Sequence, residues 1–321
     1  MSFSFQSLLS GFTLACLPAI LLCNVLILVM IRAGVLDHPG HRSSHTRPTP
    51  KGGGIGIIGA FVVCLPLARW MAGQPVMDRA TVCLLAGMLL LAVVSWLDDV
   101  RPFPARYKLM AQFGAALLAA AGTGAPLPWM VLFVLGAVFI TNALNFIDGL
   151  NGLASGVMAL TALALAAACI SPVTFVLLAV CLLAFLPYNF PKARIFMGDV
   201  GSQAGALGIA WGGMRPDWSH PLLAAALLSG VIWDVSFTLL RRSRAGDRLT
   251  EAHRGHLYQL AVRSGLPMPL VTLIYWGFAL WGGLAFETGN AGAALLLILL
   301  PQIVWTGYIC TRAGARVQER W

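Results

Sequence analysis

Charge is scarce in this chain. Only 10% of its 321 residues are Asp, Glu, Lys or Arg, against about 25% in an ordinary soluble domain. With 59% hydrophobic residues, that shortage excludes a water-soluble body of this length. The seven cysteines (16, 23, 64, 83, 169, 181 and 310) form no CxxC and fall in apolar runs. This excludes a disulfide framework and a zinc ribbon, and leaves them as small apolar side chains. Internal repeats, low-complexity segments and a soluble domain are also missing. No basic residue precedes the first apolar run and no small-residue cleavage site follows it, so it reads as a helix rather than a cleaved signal.

What the chain has is apolar runs near the length of about 20 residues that a bilayer core requires. They lie near 11–31, 54–72, 80–97, 109–125, 128–145, 153–170, 173–190, 200–214, 221–240, 268–287 and 291–311. The runs 109–125 and 200–214 are short or glycine-rich, so the expectation is an all-α polytopic membrane protein of 10–11 spans. It forms a single domain over 1–321, with connecting loops at about 32–53, 98–108, 146–152, 191–199 and 241–267. All Lys and Arg except Arg69, Arg79 and Arg215 fall on one set of alternate loops or in the tail. The positive-inside rule then places the N-terminus outside, the C-terminus in the cytoplasm and those loops on the cytoplasmic face. The net charge of +9 is therefore mostly topology, suited to anionic lipid heads, and no nucleic-acid partner is expected.

Against this background five acids stand out, because ionisable groups near a membrane core are costly. Asp98, Asp99, Asp148, Asp199 and Asp234 lie at or within apolar runs, and the first four sit at ends facing the basic loops. Carboxylates gathered at an interface suit a hard divalent cation such as Mg²⁺, which takes one or two of them plus substrate phosphates. Adjacent Asp98 and Asp99 point about 100° apart on a helix, so one can face a metal while the other faces a nucleophile. Taken alone, each motif has a plainer reading, such as a solvated helix end for the Asp pair.

Other polar elements occur near these acids. In VFITNALNFIDGLNGLAS, residues 138–155, Asn142, Asn145, Asp148 and Asn151 recur every third position around Gly149 and Gly152. Gly198, Gly201 and Ser202 surround Asp199 as in a turn opening a helix, whose free N–H groups favour phosphate. The segment 38–57 carries Lys51 before three glycines, yet lacks the GK[ST] ending of a Walker loop. In EAHRGHLYQ, His253 and His256 flank Arg254, three apart as on one helical face, in the most basic loop.

In order, RPTPKGGG, WLDDV with PARYKLMAQ, NALNFIDGLNGLA, IFMGDVGS and the HRGH loop resemble the polyprenyl-phosphate N-acetylhexosamine-1-phosphate transferase family over about residues 37–260. The resemblance implies attack by a lipid phosphate on the sugar-linked phosphorus of a UDP-N-acetylhexosamine, releasing UMP, with Mg²⁺ required and Mn²⁺ as a substitute. It implies Asp199 as metal ligand, Asp98 and Asp99 as the catalytic acidic pair, and Lys108 as a phosphate contact. His253 and His256 join the catalytic set, with Arg254 and Lys51 on substrate phosphates. Asn145 and Asp148 line the site, Asn189 belongs to the nucleotide side, and Phe196 matches an aromatic that stacks on uracil. Asn151 stands where some members carry an aspartate that reads the uracil edge; an amide oxygen can also accept from uracil N–H. The HRxH loop is similar to that of enzymes starting O-antigen or other surface glycans. This implies a GlcNAc- or FucNAc-type sugar, undecaprenyl phosphate as acceptor and a bacterial inner membrane, with a homodimer as the candidate assembly. The same chemistry also serves peptidoglycan and teichoic acid synthesis. A CDP-alcohol phosphotransferase needs further acids soon after its Asp-Gly, and none follows Asp148 until Asp199. A transporter of anionic solutes is the non-enzyme alternative; transporters favour midplane broken helices and internal symmetry.

Overall fold

The computed structural model describes residues 5–38, 47–213, 218–248, 251, 253–319 and 321. Arg42, Arg215 and Arg320, three of the residues used for orientation, lie outside the described residues. Among the described residues thirteen helices follow one another: α1 (Phe5–Ala33), α2 (Gly53–Met71), α3 (Arg79–Val100), α4 (Ala105–Ala121), α5 (Leu127–Ile147), α6 (Leu153–Ala167) and α7 (Pro172–Asn189). Then come α8 (Gly198–Trp211), α9 (Ser219–Leu227), α10 (Ser229–Arg244), α11 (Leu257–Arg263), α12 (Met268–Phe286) and α13 (Ala291–Arg316). The only described strands, β1 (Leu36–Asp37) and β2 (Thr49–Pro50), pair antiparallel in the loop before α2.

The chain is a multi-pass all-α membrane protein, and each expected apolar run contains helix. Seven described helices are long and apolar enough to cross a membrane, with an eighth if α9 and α10 count as one span. The expected count of 10–11 is reached only by adding α4, α6 and α8, which have 17, 15 and 14 residues. Fourteen residues rise only about 21 Å, less than a hydrocarbon core of about 30 Å. The reason is position: Val200 to Ile209 of α8 are all buried, and α8 packs against α2, α3, α5 and α6. Its Gly and Ala faces let those neighbours approach closely. Leu21 of α1, Leu284 of α12 and Leu296 of α13 instead point outward, each at least 66% exposed, as a lipid-facing belt.

Several expected boundaries move. Asp98 and Asp99 belong to α3 and Asp199 to the first turn of α8, so two of the expected loops shrink to 101–104 and 190–197. The run 221–240 is broken at Leu228, with α9 and α10 bent by 74°. The expected loop 241–267 begins as α10 and contains α11. Cys169 sits exposed in the α6–α7 connection rather than in an apolar helix, and all seven cysteines are free.

Candidate active site

The end of α3, the start of α4, the α5–α6 turn and the start of α8 meet at one rim. Their side chains interlock there. Lys108 of α4 bridges Asp98 Oδ2 at 2.6 Å and Asp199 Oδ2 at 2.7 Å. Lys51 reaches Asp99 Oδ1 at 3.0 Å and the Asp99 carbonyl at 2.8 Å. The adjacent acids thus face different partners, as their helical offset requires. Asp98 is saturated, its other oxygen accepting from Phe103 N at 3.0 Å. Asp99 Oδ2 is buried with no hydrogen-bond partner.

Asp199 is the most heavily braced. Besides Lys108, Gln203 Nε2 donates to Oδ2 at 3.1 Å and Asn145 Nδ2 to Oδ1 at 2.9 Å. Asn145 also reaches Ser202 Oγ at 2.9 Å. Behind them Gln112 and Asn142 exchange amide hydrogen bonds, and Gln112 donates to Gln203 Oε1 at 3.1 Å. The three-residue spacing of Asn142 and Asn145 therefore serves a buried amide relay onto one carboxylate.

The glycine segment closes the site's other side. Phe196 N donates to Pro50 O at 2.8 Å, and Gly53 N and Gly54 N donate to Phe196 O and Met197 O at 2.9 and 2.8 Å. The first N–H groups of α2, which have no intrahelical partner, are thereby satisfied by the loop that leads into α8. A Cβ at Gly54 would overlap the Gly201 backbone, so this contact requires glycine.

Between these elements lies a cavity of about 350 Å³. Of the expected site residues, Lys51, Asp99, Asn145, Asp148, Asn151, Asn189, Phe196 and Asp199 line it. Phe196, Asn151 and Gly149 also border an adjoining recess of about 180 Å³. Asn151 Nδ2 donates to Pro191 O at 3.1 Å, which leaves its carbonyl oxygen as the acceptor. Asn189 spends both ends of its amide on backbone, Gly152 N at 2.6 Å and Ile195 O at 3.0 Å. It shapes the cavity wall rather than offering hydrogen bonds.

Asp98 and Lys108 stand one layer behind the cavity. His253, Arg254 and His256 are not among its lining residues. The two histidines precede α11 in a loop, not on a helical face, and their rings stack at 4.9 Å. His256 is only 4% exposed and bonds Asp234 at 3.1 Å. The expected direct catalytic role for these rings has no support in this geometry. Burial foremost, then His256 and the Arg242 and Arg241 charges, push His253 down to about 4.

Three contributors were not singled out from sequence. Asp37 and Gln259 line the cavity, and Gln203 braces Asp199. Gln203 lies four residues after Asp199 on the same helix, and Gln259 three after His256, so spacing held a signal for both.

The lining carries four carboxylates, Asp37, Asp99, Asp148 and Asp199, against one lysine. Burial foremost, then the Asp199 and Asp99 charges, push Asp148 well above the usual carboxylate range. An orphaned buried oxygen on Asp99 beside a braced Asp199 is a donor set that a hard divalent cation accepts. Among the described residues no three His, Cys, Asp or Glu side chains converge on one point. An ion there would complete its shell with water and substrate oxygens, as Mg²⁺ commonly does.

Residues 81–215 match the model of Glycosyl transferase family 4. Over 293 residues the chain is 28% identical to the probable undecaprenyl-phosphate N-acetylglucosaminyl 1-phosphate transferase of Bacillus subtilis, covering 83% of this chain and 80% of that protein. It is 29% identical over 308 residues to the decaprenyl-phosphate N-acetylglucosaminephosphotransferase of Mycobacterium tuberculosis H37Rv, covering 79% and 74%. It is 34% identical over 263 residues to the phospho-N-acetylmuramoyl-pentapeptide-transferase of Deinococcus radiodurans, covering 71% and 81%. Three relatives that differ in sugar or lipid are matched along most of their length, one of them at 34% identity over 71% of this chain: the chain belongs to the polyprenyl-phosphate N-acetylhexosamine-1-phosphate transferase family.

Proposed function

We propose that this protein transfers an N-acetylhexosamine 1-phosphate from a UDP-sugar to undecaprenyl phosphate at the cytoplasmic face of a bacterial inner membrane. A phosphate oxygen of the lipid attacks the sugar-linked phosphorus; the bond from that phosphorus to the bridging oxygen breaks, and UMP leaves. The observation that carries this reading is the rim cavity where Asp99, Asp148 and Asp199 meet Lys51, with Lys108 behind them. A transporter reading has no comparable support, because the chemistry-bearing side chains gather at one rim.

Asp199, with Asp99, would hold Mg²⁺, which when bound neutralises diphosphate charge; phosphoryl transfer depends mainly on such electrostatics and on positioning. The chain's own groups do the positioning. Asn145 and Gln203 fix the Asp199 carboxylate, and Lys108 keeps it from turning. Lys51 stands at the cavity edge where diphosphate oxygens would lie. Phe196 offers a ring face for the uracil, and the Asn151 carbonyl offers an acceptor for its N–H. The HRGH form of the loop favours a GlcNAc- or FucNAc-type donor and a role in starting O-antigen or a related surface glycan. The test is incubation of purified protein with undecaprenyl phosphate, Mg²⁺ and a panel of UDP-sugars. UMP release that needs both the lipid phosphate and one N-acetylhexosamine donor is expected; no release with any donor overturns the proposal.

A further inference from the structure

Asp234 lies in α10, two turns past the helix break, and is 0% exposed. Five donors converge on its carboxylate: His256 Nδ1 at 3.1 Å, Leu257 N at 2.9 Å, Tyr258 N at 3.0 Å, Thr238 Oγ1 at 3.2 Å and the Tyr275 hydroxyl. A carboxylate inside a membrane protein persists only when so satisfied. Three of its donors belong to consecutive residues 256–258, so what this charge holds is the beginning of α11. Seven residues are too few for a helix to stand by itself.

The held segment presents two side chains to the site. Tyr258 donates to Phe146 O at 2.8 Å, and any Cβ on Gly149 would overlap its hydroxyl. Gln259 lines the cavity that Asp148, Gly149 and Asp199 also line. Its Oε1 accepts from His256 N at 3.2 Å. Because a backbone N–H can only donate, the amide orientation is fixed; the NH₂ end has the Tyr258 side chain as one partner and keeps a second N–H as donor. Phe196 and Asn151 border the adjoining recess, whereas Gln259 does not. It therefore lines the cavity that holds the carboxylates and not the recess.

We propose that Gln259 is a specificity-determining residue that donates a hydrogen bond to an oxygen of the transferred sugar phosphate, and that Asp234, acting through His256 and α11, is the positioning residue that aims it. This rests on the proposed transferase function. A neutral amide suits a wall already crowded with carboxylates: it contacts a hydroxyl, acetamide or phosphate oxygen without changing the charge.

The experiment is UMP-release kinetics with purified full-length protein. Gln259→Ala should raise the donor KM about 3- to 10-fold, the worth of one neutral hydrogen bond. Its kcat should stay within about two-fold, and inhibition by UMP, which lacks the sugar phosphate, should be unchanged. Asp234→Asn should raise KM similarly in the wild-type background and add nothing in Gln259→Ala, since coupled residues fail to add. Tyr275→Phe removes one donor of five and carries the same cycle if Asp234→Asn does not fold. Comparing an N-acetylhexosamine donor with its hexose counterpart separates the acetamide from the other oxygens: loss of the Gln259 effect with the hexose assigns the acetamide. An unchanged KM in Gln259→Ala, or UMP inhibition weakening in step with KM, overturns the contact. Full additivity overturns the positioning role. In each case wild-type turnover leaves the transferase reading intact, whereas a wild type that releases no UMP overturns both.

Discussion

Asp199→Asn tests the centre of the site, because Asp199 holds more partners than any other cavity acid. The carboxylate accepts from Lys108, Gln203 and Asn145. An amide supplies one oxygen and one NH₂, so whichever way it turns, its NH₂ meets a donor. The variant loses one charge-assisted hydrogen bond, about 1.5–3 kcal/mol, and gains one unsatisfied buried donor, about 1–3 kcal/mol. If all of this appears in the transition state, the loss is about 10²- to 10⁴-fold in kcat/KM. Removal of a metal carboxylate adds to that figure. The assay is UMP release across a Mg²⁺ titration, with circular dichroism and size-exclusion profiles as the check of folding. Chelation of the wild type should mimic the variant. Activity within about three-fold of wild type at ordinary Mg²⁺, in a folded variant, refutes the reasoning and removes Asp199 from the metal site.

Three other outcomes are expected. Asp99→Asn should abolish most turnover because it alters the one acid of the pair with an unpartnered oxygen at the cavity. Asp98→Asn, acting only through Lys108, should retain more, and the reverse ranking would contradict this division. In a background lacking the other cysteines, native Cys169 and a cysteine placed at Asn290 should label from outside intact cells, and one at Ser243 should not. Labelling at Ser243 would invert the proposed orientation. The His253 ring should titrate near 4 by NMR, well below the usual value near 6.5. With its folded pKa depressed, the ring's contribution to stability is complete above about 6.5 and lost as pH falls toward 4; a midpoint near 6.5 contradicts its burial.

The convergence of acids on one rim was legible because two independent signals agree there: hydropathy sets which helix ends alternate, and Asp98, Asp99, Asp148 and Asp199 all fall at ends of the kind that faces the basic loops. The partition of Asp98 from Asp99 was legible as a helical angle but not as an outcome. Which acid meets Lys51 and which meets Lys108 depends on how α2 and α4 pack against α3. The break at Leu228 left a trace in Ser229–Gly230, a pair that favours kinks, but a hydropathy window averages over it. The histidine loop shows the clearest limit. Glu251 is the one acid in the EAHRGHLYQ segment that holds His253 and His256, and surface or phosphate-contact roles were the natural reading. Asp234, 22 residues upstream, becomes their neighbour only because α10 runs back toward the rim beyond the bend.

Charge balance in the cavity extends the metal argument from turnover to binding. Four carboxylates and one lysine line the space, and Lys51 already serves Asp99. A diphosphate entering that space meets like charge; at about 4 Å and an effective dielectric near 20, each such pair costs about 4 kcal/mol. Protonation of Asp148, whose carboxyl sits well above its ordinary range, relieves one such charge but leaves Asp37, Asp99 and Asp199. A divalent cation held by Asp99 and Asp199 would relieve most of what remains, so the ion should be needed for the donor to bind, not only for the phosphorus to transfer. Equilibrium binding of a UDP-sugar to purified protein, with no lipid acceptor present, should therefore weaken at least about ten-fold when Mg²⁺ is replaced by a chelator. The loss should be smaller for uridine, which carries no phosphate. Equal donor affinity with and without the ion would show that Lys51 and Lys108 alone compensate the diphosphate, and would confine the metal to the chemical step.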